Sequence, residues 1–272
     1  MQKILYISDL DGTLLRKDQT VSPFTAKTVR ELTEKGLLFS YATARSYATS
    51  SKVTAGIPEK LPVITFNGTF IIETGTEKRL LSNLFTREEA ARILDALTAN
   101  DIYPVVNAFF DGKEKFSYLP EKTTRGMQIF IKDRWNDVRR NPVFSADVLY
   151  EGEVFHIACM DEEEKLRPLY EALGKEFPSV LYRDMYSGEF WFELHPKGAT
   201  KAEAMLTLKN MLGCDRIICF GDGLNDIPMF RAADESYAVA GAEEELKRIA
   251  TGIIESNEND GVAKWLLENA IF

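Results

Sequence analysis

Residues 4–15 read Ile4-Leu5-Tyr6-Ile7-Ser8-Asp9-Leu10-Asp11-Gly12-Thr13-Leu14-Leu15. A short apolar run therefore ends at two acidic residues and a glycine. Side chains alternate along a β-strand, so a strand that ends here presents Asp9 and Asp11 together at its carboxyl edge. Two neighbouring carboxylates need a cation between them or a proton on one of them. Gly12 allows a sharp turn that exposes backbone amides to an anion.

Two simpler interpretations of this segment exist. The acids could cap a strand end at the protein surface. Asp-x-Asp-Gly also begins calcium loops, but an EF-hand places its glycine at loop position 6, after a helix. Gly12 stands at position 4, after a strand-like run, which argues against a calcium loop. The remaining choice, between surface acids and a catalytic pair, depends on the rest of the chain.

The composition is that of an ordinary globular protein. The 272 residues suffice for one large domain or two smaller ones, since a domain averages roughly 150 residues. Apolar residues make up 45% of the chain and charged residues 28%. No apolar run approaches the ~20 residues of a membrane span, and the run 4–7 is too short for a signal peptide. We therefore expect a cytoplasmic protein without a membrane partner.

Charge and the rare metal-binding side chains limit the ligands. Lys and Arg total 33 against 42 acidic residues, and the net charge of −9 disfavours nucleic acid as a partner. Cys159, Cys214 and Cys219 lack CxxC spacing and sit in apolar surroundings, so we expect buried free thiols and a reducing compartment. His156 and His195 are the only histidines, and we therefore expect no histidine-based zinc site.

The segments after residue 20 predict an alternation of strand and helix. Ser22-Pro23 is typical of a helix N-cap followed by proline, and Gly36 is typical of the helix end. Residues 37–42 then form a predicted buried strand, and residues 62–66 form a third. Strands that are joined through a helix usually pair in parallel, so we expect a parallel sheet.

The ends of these strands carry the candidate site. Asp9 and Asp11 follow the first strand, Thr43 follows the second and Asn67 follows the third. Ligands of open α/β sheets bind outside the carboxyl ends of the strands, so we expect these four side chains to converge. Thr43 has a second interpretation, as an ordinary N-cap of the following helix.

Two segments in the second half extend the same site. Lys201 opens a predicted helix, where a cation is unfavourable unless an anion lies beside it; a solvated helix lysine is the alternative. The predicted strand 216–220 ends in Gly221-Asp222-Gly223-Leu224-Asn225-Asp226, which brings two more carboxylates to a strand end. A dinucleotide fingerprint is a weaker interpretation, because the third glycine of that motif is missing.

The middle of the chain has a different pattern of predicted secondary structure. A capping box at Thr86 predicts a helix, and hairpins follow, one at Asp111-Gly112 and one that pairs residues 180–186 with 189–194. Such an α+β block between two halves of an α/β sheet is typical of an inserted domain. The predicted fold class is therefore α/β, with a Rossmann-like parallel sheet core (residues 1–82 and 191–272) and an inserted α+β cap domain (residues 83–190).

Four segments together resemble the motifs of the haloacid dehalogenase (HAD) superfamily, and the insert resembles the large cap of its Cof-type, sugar-phosphatase-like hydrolases. The matching segments are Asp9-Leu10-Asp11-Gly12-Thr13 (DxDGT), Thr43, Lys201 and residues 221–226 (GDGxND). Ala44 and Ala202 stand where many members have glycine. The resemblance spans nearly the whole chain.

The resemblance implies a role for each matching residue. Asp9 would attack phosphorus to form an aspartyl-phosphate, and Asp11 would protonate the leaving oxygen and later activate water. Thr43 and Lys201 complete the implied catalytic set. The implied substrate- and phosphate-binding residues are Leu10, Gly12, Ala44, Arg45, Asn67 and Asn225. The implied Mg2+ ligands are Asp9, Asp11, Asp222 and Asp226.

The predicted function is a Mg2+-dependent phosphatase that hydrolyses phosphomonoesters of small metabolites, such as sugar phosphates. A phosphomutase, which returns the phosphoryl group to its substrate, is one alternative. A non-catalytic module that binds a phosphorylated metabolite is another. A transport ATPase of the superfamily is disfavoured, because Asp11 stands where those pumps have threonine and no membrane span is present.

Overall fold

A computed structural model describes residues 2–58, 60–184 and 188–271. The chain forms two compact units, a core unit (Met1–Ser82 with Gly198–Phe272) and an inserted unit (Asn83–Lys197). The strands are β1 (Ile4–Ser8), β2 (Leu38–Tyr41), β3 (Val63–Thr65), β4 (Phe70–Ile72), β5 (Arg79–Ser82), β6 (Val105–Phe110), β7 (Lys113–Tyr118), β8 (Arg140–Pro142), β9 (Glu153–Asp161), β10 (Ser179–Arg183), β11 (Phe190–Leu194), β12 (Arg216–Gly221), β13 (Glu235–Val239) and β14 (Gly252–Ile254). The α-helices are α1 (Pro23–Glu34), α2 (Tyr47–Val53), α3 (Arg87–Thr98), α4 (Arg125–Asp133), α5 (Glu163–Leu173), α6 (Lys201–Leu212), α7 (Ile227–Ala232), α8 (Glu244–Ile249) and α9 (Gly261–Asn269).

The core unit is built on a five-stranded parallel sheet of order β14-β13-β12-β1-β2. This confirms the predicted parallel core. β1 is buried along its whole length, because it lies between β12 and β2. The chain leaves β1 for β2 on one side and returns through β12 on the other. The carboxyl ends of β1 and β12 therefore form the topological switch point of the sheet, which is where open α/β sheets bind ligands.

Local sequence signals position the first helix and the second strand. The Ser22 hydroxyl accepts a hydrogen bond from the Thr25 amide (3.0 Å), and Pro23 is the first residue of α1, as the N-cap signal predicted. At the edge of the sheet, a single parallel bridge between Ala42 and Ile64 links the end of β2 to β3. β3 continues into a three-stranded antiparallel sheet, β3-β4-β5, in which the sequence predicted only the first strand.

The inserted unit is a six-stranded sheet of order β10-β11-β9-β6-β7-β8. Its neighbours are antiparallel except β7 and β8. α3 and α5 contribute to one hydrophobic cluster of this unit and α4 contributes to another. The predicted capping box is present, since Thr86 and Glu89 exchange both hydrogen bonds at the start of α3.

The predicted boundary between residues 190 and 191 would divide β11. β11 pairs with β9 and β10, so the compact unit extends to Lys197. The tip of the predicted hairpin at Tyr186 lies outside the described residues. Cys159, Cys214 and Cys219 are buried and free, as predicted. Among the described residues, every helix is too short or too polar to cross a membrane.

Candidate active site

The first two carboxylates of the site stand at the switch point. Asp9 follows β1, and its amide donates to the carbonyl oxygen of Phe220 on β12 (2.9 Å). Asp222 follows β12, and its Oδ1 accepts a hydrogen bond from the hydroxyl of Thr13 (3.1 Å). Parallel pairing of β1 with β12 thus brings residues from opposite ends of the chain to one edge.

Gly12 is required by this close approach. Its φ of 78° lies in the left-handed region, and a Cβ at this position would stand 2.1 Å from Oδ2 of Asp222. The glycine therefore allows the loop after β1 to pass directly over the Asp222 carboxylate. Thr13, which the sequence analysis did not select as a site residue, donates a hydrogen bond to the same carboxylate.

Lys201 is the cation of the site. It is the first residue of α6, and only 2% of its surface is exposed. Its Nζ donates to Oδ1 of Asp9 (2.5 Å) and to Oδ1 of Asp226 (2.7 Å). The conflict between a lysine and the positive end of a helix is therefore resolved by two carboxylates, and the alternative of a solvated lysine is wrong.

Asp226 holds Lys201 and the loop after β12. Its Oδ2 accepts hydrogen bonds from the amides of Asp222 and Gly223 (3.1 Å each), while Oδ1 accepts from Lys201. The side chain is completely buried. These three donors connect Asp226 to Lys201 and to the loop after β12.

The electrostatics of the group favour a bound cation. Burial raises the pKa of Asp9 well above its usual range; Lys201 opposes this effect, while Asp226 and Asp222 add to it. Burial and the Asp226 carboxylate raise the pKa of Asp222 to about 6. Burial lowers the pKa of Lys201, but Asp226 and Asp9 outweigh it and the net change is upward, so Lys201 stays charged.

A divalent ion fits the residues present. One oxygen of each of Asp9, Asp222 and Asp226 lies within 4.8 Å of the others. Three carboxylates facing one ammonium leave an excess of negative charge in a buried place, which a divalent cation would offset. Carboxylate oxygens are also the ligands that Mg2+ prefers.

Asp11 lies apart from this group. Its half-exposed carboxylate binds Arg45 through two hydrogen bonds, Nε to Oδ2 (2.8 Å) and Nη2 to Oδ1 (2.5 Å). Arg45 Nη2 also donates to Gln19 (2.9 Å). The structure thus does not bring the Asp11 carboxylate to the other predicted metal ligands, because a bidentate pair with Arg45 directs it elsewhere. No pattern in the sequence predicted the contact between Arg45 and Gln19.

The ends of β2 and β3 join the same edge. The hydroxyl of buried Thr43 accepts a hydrogen bond from the Arg45 amide (3.1 Å), and its carbonyl accepts from the Asn67 amide (2.9 Å). Asn67 has a φ of 53°, and its side-chain oxygen accepts from Nδ2 of Asn225 (3.4 Å). The N-cap of α2 is Ser46, so the alternative interpretation of Thr43 as that N-cap is wrong.

The remaining predicted phosphate-binding positions are set by the backbone. Leu10 is buried, and its carbonyl accepts from the Leu15 amide (2.8 Å), which closes the loop after β1. Ala44 is exposed between Thr43 and Arg45. Both positions therefore lie in the loops that follow β1 and β2, at the carboxyl edge of the sheet.

Known proteins share both the sequence pattern and the fold. A family model described as haloacid dehalogenase-like hydrolase matches residues 6–266. Two Bacillus subtilis proteins named 5-amino-6-(5-phospho-D-ribitylamino)uracil phosphatase, YwtE and YitU, are 27% and 26% identical to this chain; 95% and 96% of this chain and 95% of each relative are covered. The crystal structure of TM0651 from Thermotoga maritima, 21% identical, matches with a TM-score of 0.81 over 100% of this chain and 99% of that chain.

Proposed function

This chain belongs to the haloacid dehalogenase-like hydrolases and is a phosphatase, and we propose that it requires Mg2+ and carries the phosphoryl group on Asp9 as a covalent intermediate. The observation that carries the proposal is the meeting of Asp9, Asp222 and Asp226 around Lys201 at the switch point of the sheet. Asp9 and Asp222 would hold the ion, with Asp226 beside them. When bound, Mg2+ would screen the charge of the substrate phosphate.

Asp9 is suited to attack phosphorus through one of its two oxygens. Oδ1 accepts from Lys201, and within the described residues no hydrogen bond reaches Oδ2. In the first step Oδ2 forms a bond to phosphorus, the bond from phosphorus to the leaving oxygen breaks, and Asp11, protonated and released from Arg45, donates a proton to that oxygen. Lys201 and the loop amides would stabilise the charge on the transferred oxygens.

The second step regenerates the carboxylate. A water molecule gives its proton to Asp11 and attacks phosphorus, the bond from phosphorus to Asp9 breaks, and inorganic phosphate leaves. Thr43, Arg45, Asn67 and Asn225 are proposed to bind the substrate phosphate or its neighbouring groups, with the backbone of Leu10, Gly12 and Ala44.

A phosphate-release screen tests the proposal. The panel would contain sugar phosphates, pyridoxal phosphate, flavin mononucleotide, nucleotides and 5-amino-6-(5-phospho-D-ribitylamino)uracil, the compound in the names of YwtE and YitU. We expect release with Mg2+, no release with EDTA, and recovery with excess Mg2+. Transfer between positions of a sugar phosphate without release would indicate a phosphomutase. Full activity in EDTA would contradict the metal requirement.

The Asp11→Asn variant separates acid–base chemistry from metal binding. We expect phosphate release to fall by roughly 10²–10⁴-fold, because asparagine cannot transfer the proton. Mg2+ affinity, measured by calorimetry, should remain within about twofold, since the Asp11 carboxylate lies outside the group formed by Asp9, Asp222 and Asp226. A parallel loss of Mg2+ affinity would instead support Asp11 as a carboxylate ligand.

The Gly12→Ala variant tests the close approach of the loop to Asp222. We expect Mg2+ affinity to fall by at least ~10-fold, because the new Cβ displaces a ligand carboxylate. Gly75→Ala is the matched control: its φ is 85°, yet no atom lies within 4 Å of a Cβ there. Both variants should lose roughly 1–2 kcal/mol of unfolding free energy from the left-handed backbone. Equal Mg2+ affinity in Gly12→Ala and Gly75→Ala would contradict the expected clash between the new Cβ and Asp222.

A further inference from the structure

The inserted unit contains a second group of metal-binding side chains. His156 lies on β9, Glu193 lies on β11, and His195 follows β11 directly. Glu193 pairs with Ala158 in the antiparallel register. Because side chains alternate along strands, the three side chains share one face of the sheet, with His195 opposite His156.

The ligand atoms of these three side chains lie around a common point. Nε2 of His156 lies 3.7 Å from Oε2 of Glu193, and Nε2 of His195 lies 3.9 Å from the same oxygen. Both distances exceed the length of a hydrogen bond. One ligand atom from each residue falls within 4.8 Å of the others, and the centroids of the two imidazole rings are 4.9 Å apart.

His195 is the unusual member. Only 4% of its surface is exposed, and neither of its ring nitrogens has a hydrogen-bond partner among the described residues. A buried imidazole is normally bonded through at least one nitrogen, so two unpartnered nitrogens call for a ligand that the protein itself does not supply. The Glu193 carboxylate, 3.9 Å from Nε2, is too far away for a hydrogen bond but is well placed to share a cation.

We propose that His156, Glu193 and His195 bind a divalent transition-metal ion, with Zn2+ as the best match. Two imidazoles and one carboxylate are a common zinc ligand set, and three protein ligands leave a fourth position open. Zinc bonds of ~2.0–2.1 Å in a tetrahedron place ligand atoms about 3.3 Å apart. The two distances to Oε2 of Glu193, 3.7 and 3.9 Å, lie close to that spacing, and the ligand atoms of all three residues lie within 4.8 Å of one another.

Neighbouring side chains orient the proposed ligands. The hydroxyl of Tyr182 donates to Oε1 of Glu193 (3.2 Å), which leaves Oε2 for the metal. The amide of Asn107 lies 2.9 Å from Nδ1 of His156. A half-turn of this amide places its oxygen there, so that Nδ1–H donates and Nε2 presents its lone pair towards Glu193. Such outer contacts are usual at zinc sites.

The types of ligand agree with a transition-metal site. Neutral imidazole is the metal-binding form. The imidazole ligands distinguish this site from the all-carboxylate group of the core unit, which suits Mg2+.

Histidine resonances provide a direct test, because His156 and His195 are the only histidines in the chain. The full-length Asp222→Asn protein, which lacks one of the proposed Mg2+ ligands, would be labelled with 15N in the imidazole rings and titrated with Zn2+ alone. We expect one nitrogen of each ring to shift, and no shift with Mg2+. If both rings keep their spectra while Zn2+ is present in excess, the proposal is overturned.

Two further substitutions in the Asp222→Asn protein, the parent here, test the roles of Glu193 and Asn107, with Zn2+ affinity measured by calorimetry. Glu193→Gln keeps the shape of the side chain and should weaken binding by at least ~10-fold, and Asn107→Ala should weaken it by roughly 10–100-fold. Glu151→Gln, an exposed acid beside β9, is the control and should bind as the parent does. Equal affinity in Glu193→Gln and its parent would overturn the proposal. Neither readout uses phosphate release, so the outcome is independent of the proposed phosphatase mechanism.

Discussion

Replacing Asp9 with asparagine is expected to lower phosphate release by at least ~10⁴-fold, because an amide cannot form the bond to phosphorus. The fold should survive, since asparagine has the same shape and its oxygen can still accept the Lys201 hydrogen bond. Burial already disfavours the charge on Asp9, which raises its pKa. The metal-free variant should therefore be no less stable than the parent in urea unfolding.

Trapping the intermediate makes this test specific. If a substrate with a radiolabelled phosphoryl group is mixed with the protein and the reaction is stopped with acid, the parent protein should retain the labelled phosphoryl group and Asp9→Asn should not. Asp18→Asn, which changes an exposed acid of the same unit, is the matched control and should be labelled and active like the parent. Turnover retained in Asp9→Asn would remove the covalent mechanism and favour direct attack of water on phosphorus.

Local signals explain what the sequence could predict. Ser22 caps α1 and Thr86 caps α3, since each cap needs only residues three positions apart. The positions of Asp9 and Asp222 at strand ends could be read in the same way. Their meeting depends on β1 lying beside β12, which follows from the parallel order of the whole sheet. The resemblance to a family therefore contributed more to the site than any single segment did.

The partner of an exposed side chain was harder to predict. The sequence assigned Asp11 to acid–base catalysis and to the metal, and Arg45 to the substrate or its phosphate, whereas the structure pairs them with each other. Both assignments placed the residues at the correct edge of the sheet. Which neighbour a charged side chain contacts there depends on rotamers that no periodicity encodes.

Long-range pairing accounts for the other omissions. The predicted end of the inserted unit cut through β11, because the pairing of β11 with β9 spans many residues of sequence. The same pairing brings His156 and His195 together with Glu193. The expectation of no histidine-based zinc site counted only the two histidines and did not include the Glu193 carboxylate, which the metal site proposed above requires.

Replacing Lys201 with methionine is expected to destabilise the metal-free protein by roughly 3–5 kcal/mol, because it removes the cation between two buried carboxylates. Phosphate release should also fall by roughly 10²–10³-fold through the loss of one preorganised donor to the phosphoryl oxygens. Lys209→Met, in the same helix but only partly buried, is the control for the helix and should change neither quantity appreciably.

A second substitution at Asp226 tests whether the loss of stability in Lys201→Met is electrostatic. Lys201 lies 2.7 Å from Asp226, so the single Lys201→Met variant leaves a fully buried charge without its partner. The double variant Lys201→Met with Asp226→Asn should therefore be more stable in urea unfolding than Lys201→Met alone. Added Mg2+ should stabilise the single variant, because a bound cation offsets the same carboxylates. Additive losses in the double variant would show instead that Lys201 acts through packing, and its role in neutralising the site would have to be abandoned.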